Sequence, residues 1–183
     1  MADTVAETAR LRLRTWDKRD ADTFYAVMNT PGVMRYLGGV QAPDVWRAAY
    51  DRLQGYQRDH GFTFWIVEQL ADGELLGFCG LKRVNYADAP NLGEVEIGWR
   101  LREAAWGRGI AREAATATLD LAFAPFAAPS VVAITAAANL PSAVLMERLG
   151  MRYESTLDFD DPRFPALNPM KQWRIDAADW AAR

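Results

Sequence analysis

The chain has 183 residues, 50% of them hydrophobic, enough for one domain to close a core without staples. Its formal charge is -3, with 21 basic residues scattered among 24 acids, which argues against nucleic acid as a partner and suits a cationic ligand or plain solubility. The single cysteine, Cys79, and single histidine, His60, exclude an internal disulfide and, with Cys79 in an apolar strand and His60 at a probable helix end, argue against a cysteine–histidine zinc site and Ser–His or Cys–His nucleophile pairs.

The start, MADTVAETAR, carries acids and no apolar segment, and LAFAPFAAPSVVAI is interrupted by Pro125 and Pro129, so no membrane span is expected and the chain reads as soluble and cytoplasmic. RLRLRTW, from Arg10 to Trp16, alternates as a half-buried strand does. Phe24, Val27 and Met28 then recur at helical spacing. A second helix follows, capped by Asp44 after Pro43, with Val45, Trp46, Ala49, Tyr50 and Leu53 along one side and an end near His60-Gly61.

FTFWIVEQL, ELLGFCGLKRV and GEVEIGWRL, separated by turn residues, form an antiparallel meander. Cys79 lies in its apolar alternation as a core thiol, and Gly98 inside the third strand is consistent with a bulge. A glycine segment next opens a helix running toward Ala124. SVVAITAAA, NLPSAVLMERLG, MRYESTLDF and MKQWRIDA follow as strand, short helix, strand and last strand. The order describes one α+β domain over residues 1–183, with a tail at about 1–8, a core at about 9–176 and a mixed, mostly antiparallel sheet.

WGRGIAREAA, from Trp106 to Ala115, places two glycines directly before helix formers. A strand feeding a helix in this way leaves unpaired N–H groups at the positive end of the helix dipole, an anion site that a phosphate approaches closely where Gly107 and Gly109 lack side chains. Arg108 and Arg112 add charge. There is no Gly-Lys-Ser/Thr ending and no three-glycine dinucleotide fingerprint, and an ordinary loop before an alanine-rich helix has the same glycine spacing.

WGRGIA resembles the pyrophosphate-binding segment of the GNAT superfamily of acyl-CoA-dependent N-acyltransferases, with Gly109 and Ala111 at its last two fixed positions and Trp106 at the first, as in the RimJ/RimL-like branch. RLRLRTW, EVEIGWRL, Asn139-Leu140-Pro141-Ser142 and ERLGM agree with that branch in order, from about Arg10 to Ile175. The resemblance implies a sheet of about seven strands flanked by about four helices, splayed between strands 4 and 5. It implies acetyl-CoA as cosubstrate, without a metal, and coenzyme contacts from Trp106, Gly107, Arg108, Gly109, Ile110, Ala111 and Arg112. Main-chain groups from Trp99 to Leu101, together with Asn139, would contact the pantetheine arm.

Transfer to an amine requires a base, a polarised carbonyl and a means of releasing the thiolate. Glu94 and Glu96 share one face of their strand while Val95 and Ile97 take the other. Because the family places the acyl group beside this strand, Glu96 is the first candidate for base and Glu94 the second; two solvated carboxylates on a half-exposed strand is the plainer alternative. Many relatives carry a catalytic tyrosine where this chain has Met146. Ser142, facing the coenzyme sulfur in the resembling branch, is then the candidate partner of the thiolate, while helix capping around Asn139 and Pro141 is the structural alternative.

The acceptor, a protein N-terminal amine or a small-molecule amine, would lie between the first helices and the closing hairpin, where Asp158, Asp160 and Asp161 form an acidic group. A polar turn also explains those acids. Trp46, Tyr50, Tyr56, Phe62 and Trp65 either line that pocket or belong to the core. Dimerisation, common among relatives, has no signature in the residues. A non-catalytic coenzyme A-binding sensor is the competing reading.

Overall fold

A computed structural model describes residues 2–183. Eight strands form one sheet in the order β1-β2-β3-β4-β5-β6-β8-β7. They are β1 Thr4–Glu7, β2 Leu11–Arg14, β3 Phe64–Gln69, β4 Leu75–Arg83, β5 Val95–Leu101, β6 Ser130–Ala136, β7 Arg152–Tyr153 and β8 Met170–Asp176. All neighbours are antiparallel except β5 and β6. Six helices accompany them: α1 Asp20–Met28, α2 Pro31–Met34, α3 Pro43–His60, α4 Ile110–Phe123, α5 Leu140–Arg148 and α6 Ala177–Ala181. None of these helices is long and apolar enough to cross a membrane.

The alternation of each strand sorts its side chains between the two faces of the sheet. Leu81, Cys79 and Ile97 join α4, whose Ile110, Ala114, Ala115, Thr118, Leu119 and Ala122 are buried at helical spacing. The small residues let α4 lie close to the sheet, and truncating Leu119 there removes about 2–5 kcal/mol of packing. On the opposite face Ile66 and Phe78 meet Phe24, Met28 and Met34, with Trp46, Tyr50 and Leu53 of α3 packed outside them. Cys79 is fully buried and accepts a hydrogen bond from the Thr118 hydroxyl at 3.3 Å, and desolvation pushes its thiol up to about 12.

Several sequence expectations change in detail. Residues 4–7, assigned to a tail, form edge strand β1 against β2, which raises the count to eight strands and shifts the expected splay to β5 and β6. MRYESTLDF is a strand only at β7; a 3-10 turn over Ser155–Leu157 follows, and Phe159 makes an isolated bridge to Met170. The Asp158 carboxylate accepts from the Gln172 N–H at 3.3 Å and from the Tyr153 hydroxyl, pinning the turn. Residues 177–181, beyond the expected core, form α6.

Gly98 makes no bulge. Its pairing with Gly80 lies within an unbroken register from Arg83↔Val95 to Gly77↔Leu101. A Cβ at position 98 would sit 2.8 Å from Cζ of Phe64, so glycine there makes room for that ring. Asp44 is not a cap either, since α3 begins at Pro43 after Ala42.

Candidate active site

After β5 a 3-10 turn over Glu103–Ala105 leads into the glycine segment. Gly107 and Gly109 have φ of 69° and 76°, a region that residues with a Cβ enter at a cost. The Trp106 indole N–H donates to the Leu101 carbonyl at 2.8 Å, tying the turn to the end of β5. Arg10, just before β2, donates through Nη1 to the Arg108 carbonyl at 3.1 Å and through Nε to Glu113 at 2.7 Å. Glu113 also accepts from the Thr8 hydroxyl at 2.6 Å. Burial pushes the Glu113 carboxyl up, but the Thr8 and Arg10 hydrogen bonds outweigh it and hold the group below its ordinary value.

Glu113 therefore faces the turn between β1 and β2 and leaves the helix start uncapped. The first intrahelical donor is its own N–H, to the Gly109 carbonyl at 3.1 Å, and the N–H groups of Ile110, Ala111 and Arg112 have no acceptor among the described residues. The space where a Gly107 Cβ would stand is open. Arg112 is exposed, and Arg108 makes only two 3.4 Å contacts, to the Ala104 carbonyl and Gln69 Oε1. Free donors, open space and two loosely held cations fit a pyrophosphate.

β5 and β6 pair only at Glu96↔Val132 and Ile97↔Ala133, yet β5 continues to Leu101. Beyond Ile97 its edge has no strand beside it, so a V opens toward the glycine segment. Trp99 and Arg100 lie on that edge, while the Leu101 carbonyl is already taken by Trp106. Asn139 and Ser142 stand at the start of α5, directly after β6. Asn139 does not cap the helix through its side chain; its amide donates to Thr135 Oγ1 at 2.9 Å. Ser142 makes no side-chain hydrogen bond among the described residues, and Met146 is packed in the core at 2% exposure.

Glu96 stands at the vertex of the V, on the face opposite α4, with 4% of its surface exposed. The Tyr86 hydroxyl donates to Oε1 at 3.1 Å, and the Lys82 ammonium lies 3.2 Å from Oε2 without hydrogen-bond alignment. Desolvation raises the Glu96 carboxyl above its ordinary value, with Lys82 and Tyr86 opposing. Burial likewise drives the Tyr86 phenol up, and the Glu96 charge adds to the shift. The plainer reading of solvated carboxylates thus fails for Glu96. Glu94 shares the polar face but is bound by Arg174 at 2.7 Å and by the Asn91 amide at 3.0 Å, which makes it a support for the sheet rather than an available base.

Two of the three hairpin acids are engaged: Asp158 as above, and Asp161, 2% exposed, by Arg163 at 2.7 Å. Asp160 alone is exposed without a partner among the described residues. Trp65 and Phe62 are in the core, Trp46 and Tyr50 pack on the α1 cluster, and Tyr56 is partly buried against the main core. A cleft of about 690 Å³ lies over β1, β2 and α1 and is lined by none of Glu96, Trp99, Asn139 or Ser142. Its Arg12, Arg14, Arg19 and Arg102 are paired with Glu68, Asp20, Asp17 and Glu74, a structural ion-pair network. No cluster of His, Cys, Asp and Glu suited to a metal occurs among the described residues.

Sequence reasoning missed Tyr86, Lys82 and the Arg10–Glu113 brace. Strand counting offers a signal for one of them, because the register of β4 on β5 places Lys82 opposite Glu96. Tyr86 comes from the connecting loop, and Arg10 reaches the glycine turn across a long sequence separation.

An acetyltransferase (GNAT) domain model matches residues 10–152. YkkB of Bacillus subtilis (strain 168), an uncharacterized protein, is 32% identical over 157 residues, covering 85% of this chain and 90% of its own. The uncharacterized N-acetyltransferase p20 of Bacillus licheniformis is 30% identical over 154 residues, 82% of this chain and 83% of its own. The crystal structure of an acetyltransferase from Agrobacterium tumefaciens str. C58 superposes with a TM-score of 0.79 at 26% identity, covering 93% of this chain and 92% of that one. The chain belongs to the GNAT acetyltransferase family. It is an N-acetyltransferase, and acetyl-CoA is the cosubstrate of that family.

Proposed function

We propose that the protein transfers the acetyl group of acetyl-CoA to a primary amine by direct attack in a ternary complex, and that it is a RimJ/RimL-like member of its family. The observation that carries this reading is the continuity of the V: uncapped N–H groups at its open end and an enclosed, proton-seeking carboxylate at its vertex. The free N–H groups of Ile110, Ala111 and Arg112, with Arg108 and Arg112, hold the pyrophosphate. Main-chain groups of Trp99 and the Asn139 side chain align the pantetheine arm.

The amine nitrogen bonds to the acetyl carbon as the carbon–sulfur bond breaks, and the amine proton passes through water to Glu96. A carboxyl raised above its ordinary value suits this task. Tyr86 and Lys82 keep the carboxylate oriented and ionisable. Ser142, whose hydroxyl has no partner of its own, hydrogen-bonds the departing thiolate. The acceptor is a protein N-terminus or a small-molecule amine.

The test is an amine panel assayed for acetyl transfer with wild type and Glu96→Gln. Turnover on at least one amine, sharply reduced in the variant, supports the reading. Coenzyme binding without turnover on any amine would favour the non-catalytic sensor, for which buried Met146 in place of a tyrosine is the supporting observation.

A further inference from the structure

Arg100 follows Glu96 on the same face of β5, with Gly98 between them. Among the described residues it is the one arginine that is not exposed and has no carboxylate within ion-pair distance; the other arginines of comparable enclosure all have one. Its guanidinium lies 5.1 Å above the Phe78 ring, and Nη1 points at Met34 Sδ at 3.7 Å. Nε is fully enclosed and donates to nothing. A ring face and a thioether are weak substitutes for water, and a buried cation lacking its counter-ion is costly.

The surroundings reinforce the imbalance. Arg100 borders a crevice of about 10 Å³ beneath α1 and α2, lined also by Tyr25, Asn29, Met34 and Gln41. No acid lines it. Its polar groups are occupied with one another: the Tyr25 hydroxyl and the Asn29 amide both donate to the Gln41 carbonyl, and the Gln41 N–H donates back to Asn29 Oδ1. The crevice therefore has one charge, positive, and room for about one water or a carboxylate oxygen of similar size.

We propose that Arg100 is the anion-binding residue of the acceptor site, and that the acceptor is an amine carrying a carboxylate, as amino acids do, rather than a polyamine or other purely cationic amine. The guanidinium fork supplies a fixed positive charge and more than one N–H donor to a carboxylate, and Gly98, against which the Phe64 ring packs, separates Arg100 from Glu96 along β5. The inference rests on the acetyl-transfer reading for the identity of the acceptor. It replaces the expectation of a cationic ligand, for which the hairpin leaves only Asp160 free, Asp158 and Asp161 being engaged.

The test is calorimetric titration, with coenzyme A present, of the common amino acids, their C-terminal amides and spermidine. Wild type, Arg100→Met, which keeps the apolar stem against Phe78, and Arg100→Lys, which keeps the charge without the fork, are compared. At least one amino acid should bind wild type at least about tenfold more tightly than its amide. Arg100→Met should abolish that preference, and Arg100→Lys should retain part of it. Equal binding of acid and amide, no binding of any amino acid, or a preference that survives in Arg100→Met overturns the proposal.

Should Arg100→Met fail to fold, the wild-type comparison and Arg100→Lys still decide, because loss of the fork must weaken the acid preference. Acetyl transfer is followed in parallel. An intact acid preference without acetylation of any amine refutes acetyl transfer and leaves the anion site standing. Acetylation confined to spermidine, unaltered in Arg100→Lys, does the reverse.

Discussion

The Tyr86 hydroxyl donates to Glu96 Oε1 at 3.1 Å inside the fold, and this contact opposes the desolvation that raises the carboxyl. If Glu96 takes the amine proton, kcat/KM rises with pH through the Glu96 titration, above the usual carboxylate range. Tyr86→Phe removes an interaction that favours the charged form, so that limb moves to higher pH. Glu96→Gln removes the limb and lowers kcat by about 10²–10⁴-fold, with acetyl-CoA affinity changed little. A pH–rate profile of the three proteins checks both statements.

The same group gives a stability prediction of definite sign. A carboxyl raised in the fold binds protons more readily folded than unfolded, so stability declines as pH rises from the unfolded pKa through the folded one. Thermal midpoints of Glu96→Gln across that window should lack the decline seen in wild type.

Gly109 and Gly61 separate strain from binding. Both have left-handed φ, 76° and 74°, with no crowding atom nearer than Arg10 Nη2 at 3.6 Å from a Gly109 Cβ. Valine at either position costs about 1–2 kcal/mol in backbone conformation, but only position 109 lies in the cradle. Gly109→Val should weaken acetyl-CoA binding by at least about tenfold, while Gly61→Val, at the end of α3, loses stability and keeps its affinity.

Ser142→Ala distinguishes chemistry from capping. The hydroxyl makes no hydrogen bond among the described residues, so the thermal midpoint should be unchanged, whereas kcat should fall about tenfold for loss of a hydrogen bond to a charged thiolate. A drop in stability with kcat intact would make Ser142 a structural residue.

Glu113 links acid stability to the coenzyme site. Its carboxyl is held below its ordinary value, so its contribution is present above the unfolded pKa and lost as pH falls through the folded one. Glu113→Gln should flatten the acid-side fall in thermal midpoint. By freeing Arg10 from the glycine turn, it should also weaken acetyl-CoA binding several-fold.

Periodicity carried most of the architecture, because strands such as LRLR and helices such as IAREAATATLDLAF bury one face each and must repeat accordingly. Strand β1 was not legible: TVAE is a half-exposed edge segment with no apolar alternation, held by pairing with β2. The glycine turn was legible because backbone conformation restricts residue type. Glu96 was identifiable as a residue on a polar face, but its burial, and the arrival of Tyr86 from a loop, depend on packing across the sheet. Arg100 was invisible for the same reason, since an unpaired charge is defined by what is missing around it.

The coenzyme cradle at the start of α4 is tested by calorimetric titration of the protein with acetyl-CoA, with coenzyme A and ATP as references. Saturable acetyl-CoA binding, much weaker ATP binding and at least about tenfold weaker acetyl-CoA binding in Gly109→Val are expected. Absence of acetyl-CoA binding to the folded wild-type protein would contradict the cradle.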